Sequence, residues 1–462
     1  MISRRTFLEA LGASAFASCR AVAQGPEDPW RAVPDILSRV KPPAFPPRDF
    51  DVTTFGGVGD NTKDCTAAFR DAIGACARAG GGRVVVPKGD FLSGAIELKS
   101  GVNLHVADGA TIRFARDVNR YPLVLTRWEG TELMNFSPFI YAFEQTNIAV
   151  TGSGTLDGNA DCEHWWPWKG RTDCGWQRGD ASQDADRQRL MEMAERGVPV
   201  PQRVFGAGHY LRPQFVQPYR CTNVLIEGVR LINSPMWQVH PVLCTNVTVK
   251  DLSIQAAGPN TDGCDPESCR DVLITNCSFD TGDDCIAIKA GRNADGRRVN
   301  VPSENIVIRN CRMKNGHGGV MIGSECSGGT RDVFAEDCEL DSPELEFAVR
   351  IKTNAMRGGT IENVFARRLR VGQVAKAALT IDFYYEEGER GRFTPTVRNV
   401  ALDQVTMRRA EYALYLRGFA GSPIRNVSVT NSDFGAVAKP NVTEHVVGLS
   451  LANVRMNGRL AR

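Results

Sequence analysis

Three carboxylates, a histidine and two cations stand at spacings that suit acid–base chemistry. Asp283 and Asp284 lie side by side in "TGDDC", after a glycine and directly before an apolar alternating run. Neighbouring strand residues face opposite sides of a sheet, so a regular strand would turn one of these acids toward a core. Upstream, "GPNTDGCDPES" supplies Asn260, Asp262 and Asp265. Downstream, "KNGHGGVMIGSE" supplies His317, and "AVRIKTNAMRGG" supplies Arg350 and Lys352, two residues apart and so on one face. Like charges held close together cannot all ionise freely, so at least one carboxyl of such a set is expected to stay protonated near neutral pH. Hydrolysis of a glycosidic bond uses that arrangement: an acid protonates the leaving oxygen, and a carboxylate activates water or attacks. Each motif alone is ordinary turn chemistry. The case rests on whether the chain brings them into one register.

A repeat does so. A polar pair followed by apolar alternation occurs nine times, with first apolar residues at Ile148, Val224, Val247, Val272, Ile306, Val333, Val364, Val400 and Val427. The shortest spacings set a coil of roughly 22–25 residues, and the longer ones carry inserted loops. Short strands of period two, with no helical periodicity between them, predict a parallel β-helix. Asp262 then precedes Asp283 by about one coil. His317 follows by one more, once "RNADGRRVNVPS" is set aside as a loop. Stacked coils sit about 4.8 Å apart, which lines the charged residues along one side. Five positions into the repeat, Cys277, Cys311 and Cys338 share a slot with Val229, Leu252, Leu369 and Val405. These cysteines are expected to stack in the core as small hydrophobes rather than to bind metal. A helix from about Thr66 to Ala79 is expected to cap the first coil, which would otherwise expose a sheet edge.

The first 23 residues read as a targeting segment. Paired Arg4 and Arg5, a weakly apolar stretch and Ala21-Val22-Ala23 resemble a twin-arginine export signal, so the chain is expected to be exported, to the periplasm or beyond. Cys19 offers lipid anchoring as a less favoured alternative. The 24–462 remainder is expected to be one β-helix domain with an insertion at about 157–223. The whole chain carries a formal charge of +2, and Arg4, Arg5, Arg20 and Glu9 leave with the signal. The remainder is close to neutral and has no global field for nucleic acid. No apolar run is long enough to span a membrane, and oligomeric state is not legible. Among 14 cysteines, Cys162 and Cys174 inside the insertion are the best disulfide candidates.

"NTDGCD", "GDDC", "NGHGG" and "RIK", in this order, resemble the signature of the polygalacturonase family (glycoside hydrolase family 28), pectin-cleaving enzymes on a right-handed parallel β-helix. The resemblance runs from about residue 50 to residue 432. It implies Asp283 as general acid, Asp262 and Asp284 as activators of the attacking water with inversion, and His317 as the residue that shares or tunes the acid's proton. It implies that Arg350 and Lys352 bind a substrate carboxylate, a role their charges suit, with no protein partner expected for Lys352. Tyr385 in "FYYEEG" resembles a sugar-stacking tyrosine, although Tyr384 stands beside it. Asn260 joins the substrate-binding set, and no metal or cofactor is implied. Cys264 departs from the larger aliphatic usual in the family. "GSECSGG" is similar to bacterial exo-acting members, and the 157–223 insertion, with "EHWWPW" and Trp176, could close one end of the cleft. A β-helix pectate lyase using calcium and a non-catalytic carbohydrate-binding β-helix are the rival classes.

Overall fold

The protein is described here by a computed structural model over residues 28–461, so the export segment and Cys19 lie outside the described residues. The chain winds into a right-handed parallel β-helix whose main ladder runs from Asp49–Asp51 to Val446–Met456. All nine repeat positions fall on one column. Ile148 pairs with Val224, Val224 with Val247, Val247 with Val272 and Val272 with Ile306. The column continues through Val333, Val364 and Val400 to Val427. One further coil, unmarked in the sequence pattern, adds Leu449 beside Val427.

The polar pair that opens each repeat has its own physical role. Asn223, Asn246, Asn305, Asn363, Asn399 and Asn426 all take φ between 55° and 58°, a region Asn tolerates because its short amide bonds locally. Their amides stack from coil to coil: Asn246 Nδ2 donates to Asn223 Oδ1 at 2.7 Å, and Asn223 Nδ2 to Asn147 Oδ1 at 2.8 Å. This turns the chain at the same point in every coil and so holds the register of the apolar column. Inside, aliphatic stacks fill the bore, and Cys277, Cys311 and Cys338 lie buried in their shared slot. Cys221, Cys244 and Cys269 form a second buried stack, each Sγ accepting from a backbone N–H of the preceding coil, Gln145, Cys221 and Cys244 in turn.

The predicted cap is present as a helix over Thr66–Arg78, whose buried face is Ala68, Phe69, Ala72, Ile73 and Cys76. Two elements were not legible. "RNADGRRVNVPS", read as a loop, contains a short helix over Asn293–Val299. "LVLTRWEGTELMNF" forms an antiparallel hairpin, Leu123–Trp128 with Thr131–Phe136. This hairpin, the helix Asp184–Glu195 of the insertion and the solenoid wall share a satellite core that includes Trp128, Leu133, Leu190, Phe205 and Trp237. Cys162 and Cys174 are bonded to each other.

One face of the solenoid matters most for chemistry. It carries a six-stranded ladder beginning with Ile286–Ile288, Val320–Ile322 and Phe347–Lys352, and a three-stranded ladder upstream ending at Val216–Tyr219. Among the described residues the two ladders are joined by single bridges, in two columns: Val216 to Val239 to Cys264 to Ile286, and Tyr219 to Val242 to Glu267 to Lys289. Cys264, buried in this gap, keeps the stack continuous.

The Asn column gives a test. Asn246→Ala places a Cβ residue without a polar head in the left-handed region and removes the bonds to Asn223 and Lys41. It should cost about 2 kcal/mol, seen as a lower urea midpoint with turnover unchanged. Asn246→Gly, free of the backbone strain, should lose about half as much.

Candidate active site

The site forms where those single bridges replace regular strands. Pairing of Cys264 with Ile286 and of Ile286 with Val320 sets Asp262 beside Asp284 and Asp283 beside His317. Gly263 N donates to Asp284 O at 2.9 Å, and His317 N to Asp283 O at 3.2 Å. Asp283 and Asp284 do not open a strand, as the alternation suggested. They occupy a bend before Ile286–Ile288, so neither must point into the core. Thr281 Oγ1 donates to Asp283 O at 2.7 Å, and Gly282 N donates to Thr261 Oγ1 at 3.1 Å. The bend is tight enough that a Cβ on Gly282 would meet Gly258 O at 2.2 Å, and one on Gly316 would meet Asp283 O at 2.0 Å.

A pocket of about 380 Å³ opens over this bend, and all eight residues singled out from the sequence line it: Asn260, Asp262, Asp283, Asp284, His317, Arg350, Lys352 and Tyr385. Asn260 accepts from Arg212 Nη2 at 2.8 Å and presents Nδ2 to Asp283 Oδ2 at 3.4 Å. The tyrosine ambiguity resolves by face. Tyr385 lies under the Arg350 and Lys352 heads, 5.3 and 5.4 Å from its ring centre, whereas Tyr384 packs outward on Phe419. Among the described residues Arg350 makes no salt bridge; its guanidinium rests on Phe347. Lys352 differs from expectation, because it does have a protein partner. Its Nζ donates to Asp284 Oδ2 at 2.7 Å, with both side chains buried. The tryptophans of the insertion serve packing: Trp165 sits against Tyr121 and Phe139, and Trp176 bonds within its own loop.

The charges divide unevenly. His317 Nδ1 lies 2.8 Å from Asp283 Oδ1. That hydrogen bond, against the cost of burial, lifts His317 to about 9. Burial would raise Asp283, but the His317 bond and the nearby cations outweigh it and bring the carboxyl to about 2. Asp262, desolvated and facing the Asp283 charge, is pushed well above the carboxylate range. Asp265, fully buried beside it, is pushed the same way by burial and by Asp262. The carboxyls pushed toward the protonated form are thus Asp262 and Asp265, not Asp283. Asp283 is the ionised partner of an imidazolium, and the proton it would pass on sits on His317.

Several contributors escaped the sequence reading. Lys289 is buried with Nζ 3.6 Å from Asp262 Oδ2, 3.6 Å from Asp265 Oδ1 and 3.4 Å from Glu325 Oε2, over the Trp237 ring at 4.2 Å. Its signal was a lysine closing the apolar run "CIAIK", in the column that Lys352 occupies two coils later. Glu129, at the hairpin turn, holds Arg187 of the insertion at 2.7 Å and Arg292 at 3.2 Å. One ligand atom from each of Asp283, Asp284 and His317 lie within 4.8 Å of one another. A divalent cation there would have to displace both the His317 proton and the Lys352 ammonium, so the set fits acid–base work better than metal binding.

Facing acids, a proton-sharing histidine and an arginine that makes no salt bridge among the described residues, set in a groove on a parallel β-helix, define a sugar-cleaving hydrolase. Residues 207–446 match Glycosyl hydrolases family 28, and the chain belongs to that family: it is a glycoside hydrolase. A crystal structure titled as a hyperthermoactive exopolygalacturonase from Thermotoga maritima superposes with a TM-score of 0.90 and 46% identity, covering 93% of this chain and 96% of that one. Curated relatives include a "Probable polygalacturonase" of Vitis vinifera, 27% identical over 83% of this chain and 74% of its own length. Another is the exo-poly-alpha-D-galacturonosidase of Dickeya chrysanthemi, 25% identical over 78% of this chain and 63% of its own length.

Two outcomes follow from the charge map. In the resting enzyme the His317 ring should titrate near 9 by NMR, and in Asp283→Asn it should fall back toward the ordinary 6.5; turnover should drop at least about a hundredfold. Because His317 is raised and Asp283 lowered, the stability from this pair is complete between about 3.8 and 6.5, lost as pH climbs through about 9 and lost again as it falls through about 2. An unshifted His317 would remove the pair from the mechanism. Lys352→Met should strand Asp284 as a buried charge and cost about 3 kcal/mol as well as activity. Lys352→Met with Asp284→Asn should regain stability without regaining turnover.

Proposed function

We propose that the protein hydrolyses α-1,4 bonds between galacturonate residues with inversion, working from chain ends. The observation that carries this reading is a pocket whose acids are matched internally while Arg350 is left facing the ligand space. A uronate chain brings a carboxylate with every sugar, and a guanidinium forks onto a carboxylate in two-point geometry. In this mechanism the leaving oxygen approaches Asp283. As negative charge grows there, the proton moves from His317 Nδ1 to Asp283 and on to that oxygen. On the other side a water between Asp262 and Asp284 gives up a proton to Asp284, whose charge Lys352 steadies, while Asp262 orients the water. Asn260, hydrogen-bonded to both Arg212 and Asp283, fixes the position of the acid. Tyr385 offers its ring to a sugar face.

End-on action is supported by the wall. Lys169, Arg171 and Arg187 of the insertion, together with Glu129 of the hairpin, line the pocket that holds the acids. A similar chain, the Thermotoga protein, is named an exopolygalacturonase. The bonded Cys162 and Cys174 accord with export into an oxidising compartment, which remains the reading of residues 1–23. The substrate would be polygalacturonate or a pectic oligosaccharide.

Digestion of polygalacturonate tests all of this at once. Monomer or dimer should appear first with saturated reducing ends, and viscosity should fall slowly relative to the ends released. Chelation of divalent ions should leave the rate unchanged. Mid-length oligomers and an early viscosity drop would mean attack within the chain, and ultraviolet-absorbing unsaturated ends would mean a lyase.

A further inference from the structure

We infer that Lys169, carried by the insertion, is a second receptor for a substrate carboxylate, taking the uronate that lies on the Asn260 flank of the pocket. The inference rests on the galacturonan-hydrolase reading and extends it to a residue outside the recognised motifs.

Lys169 closes the short helical turn Trp166–Lys169 and lines the catalytic pocket. Among the described residues its ammonium makes no ion pair and no hydrogen bond. Glu129, the nearest acidic wall residue in charge terms, is already held by Arg187 at 2.7 Å and Arg292 at 3.2 Å. Burial and the proximity of Arg212 and Arg187 hold the lysine below its ordinary value, although Glu129 and Asp283 pull the other way. A half-buried cation with no hydrogen-bonded partner, set among Arg187 and Arg212 as well as the already paired Glu129, is poorly compensated in the free protein.

The chain nevertheless builds a rigid mount for it. Trp165 is buried against Tyr121 and Phe139, Trp166 Nε1 donates to Ser234 O at 2.9 Å, and Trp168 meets Tyr210 edge-on at 5.2 Å. The bonded pair Cys162 and Cys174 encloses the turn. Arg350 enters the pocket from a strand two coils downstream of Asp283, roughly 10 Å along the axis at the usual coil spacing. Lys169 enters from the upstream flank: Trp166 of its turn lies against Gly258 and bonds Ser234, in coils before Asp283, and Arg212, which holds Asn260, is among the charges near the lysine. Two cations free to bind, separated along the solenoid with the acids between them, match a ligand that carries one carboxylate per sugar on both sides of the bond to be cut.

The test uses the full-length enzyme with galacturonate and galactose as competitive inhibitors, which differ by the carboxylate. Lys169→Met should raise KM for polygalacturonate and Ki for galacturonate about tenfold, the size of one charge-assisted hydrogen bond. Ki for galactose and the melting temperature should not move, kcat should change less than about twofold, and Lys169→Arg should restore most of the loss. Should Lys169→Met disturb the insertion, Lys169→Gln keeps a polar head, and the same two inhibition constants decide. An unchanged galacturonate Ki, or equal shifts for both sugars, would overturn the role of Lys169. A wild-type enzyme unable to release galacturonate would instead sink the functional reading itself.

Discussion

Everything in this protein hangs on the register between stacked coils. Backbone bonds between parallel strands repeat a fixed spacing, but they do not by themselves prevent a one-residue slip, which would turn every side chain to the other face. The Asn and Asp residues at left-handed φ do, because they turn the chain at one point and are bonded side chain to side chain across coils, Asn223 to Asn147, Asn246 to Asn223, Asn305 to Asp271 and Asn363 to Asp332. With that column fixed, Asp262, Asp283, His317, Arg350 and Tyr385 reach one face from five consecutive coils. The site is therefore a local loosening of an otherwise regular ladder. Where single bridges replace strands, the backbone can bend and put two adjacent acids on the same side.

The charge cluster shows how such a site is tolerated. Asp262, Asp265, Asp284 and Glu325 are buried, and Lys289 and Lys352 lie among them as internal counter-ions. Removing charge from either side leaves a buried group uncompensated. The same balance decides where protons rest. Burial and the neighbouring Asp283 charge push Asp262 toward its protonated form, whereas the His317 imidazole draws Asp283 toward its ionised form.

Much of this was legible from sequence, and the boundary has a physical basis. The apolar repeat was read correctly at every position from Ile148 to Val427, since burial on a regular ladder leaves a regular trace. The line-up of Asp262, Asp283 and His317 followed from counting coils. The hairpin at 123–136 was missed because its apolar residues answer to a satellite core assembled from three distant segments. The helix at 293–299 was missed because a seven-residue turn rich in Arg and Gly carries no helical stripe. Lys289 was missed because a lysine ending a strand reads as an exposed edge. The upward push on Asp262 rather than Asp283 depends on desolvation, which spacing along a chain does not encode.

The helix at 293–299 carries one more consequence. It is spliced into a corner between two coils, yet Ile286 still meets Val320 and the acid still meets the histidine. Length added at a corner bulges outward and leaves the axis untouched, because loop closure becomes only slowly more costly as a loop grows. The solenoid therefore separates what must be conserved from what can drift. Reaction geometry is written along the axis, and the shape of the entrance is written in the corners. A lineage, or an engineer, could exchange the corner pieces like interchangeable nozzles on one barrel and so alter which polymers enter, without retuning the chemistry inside.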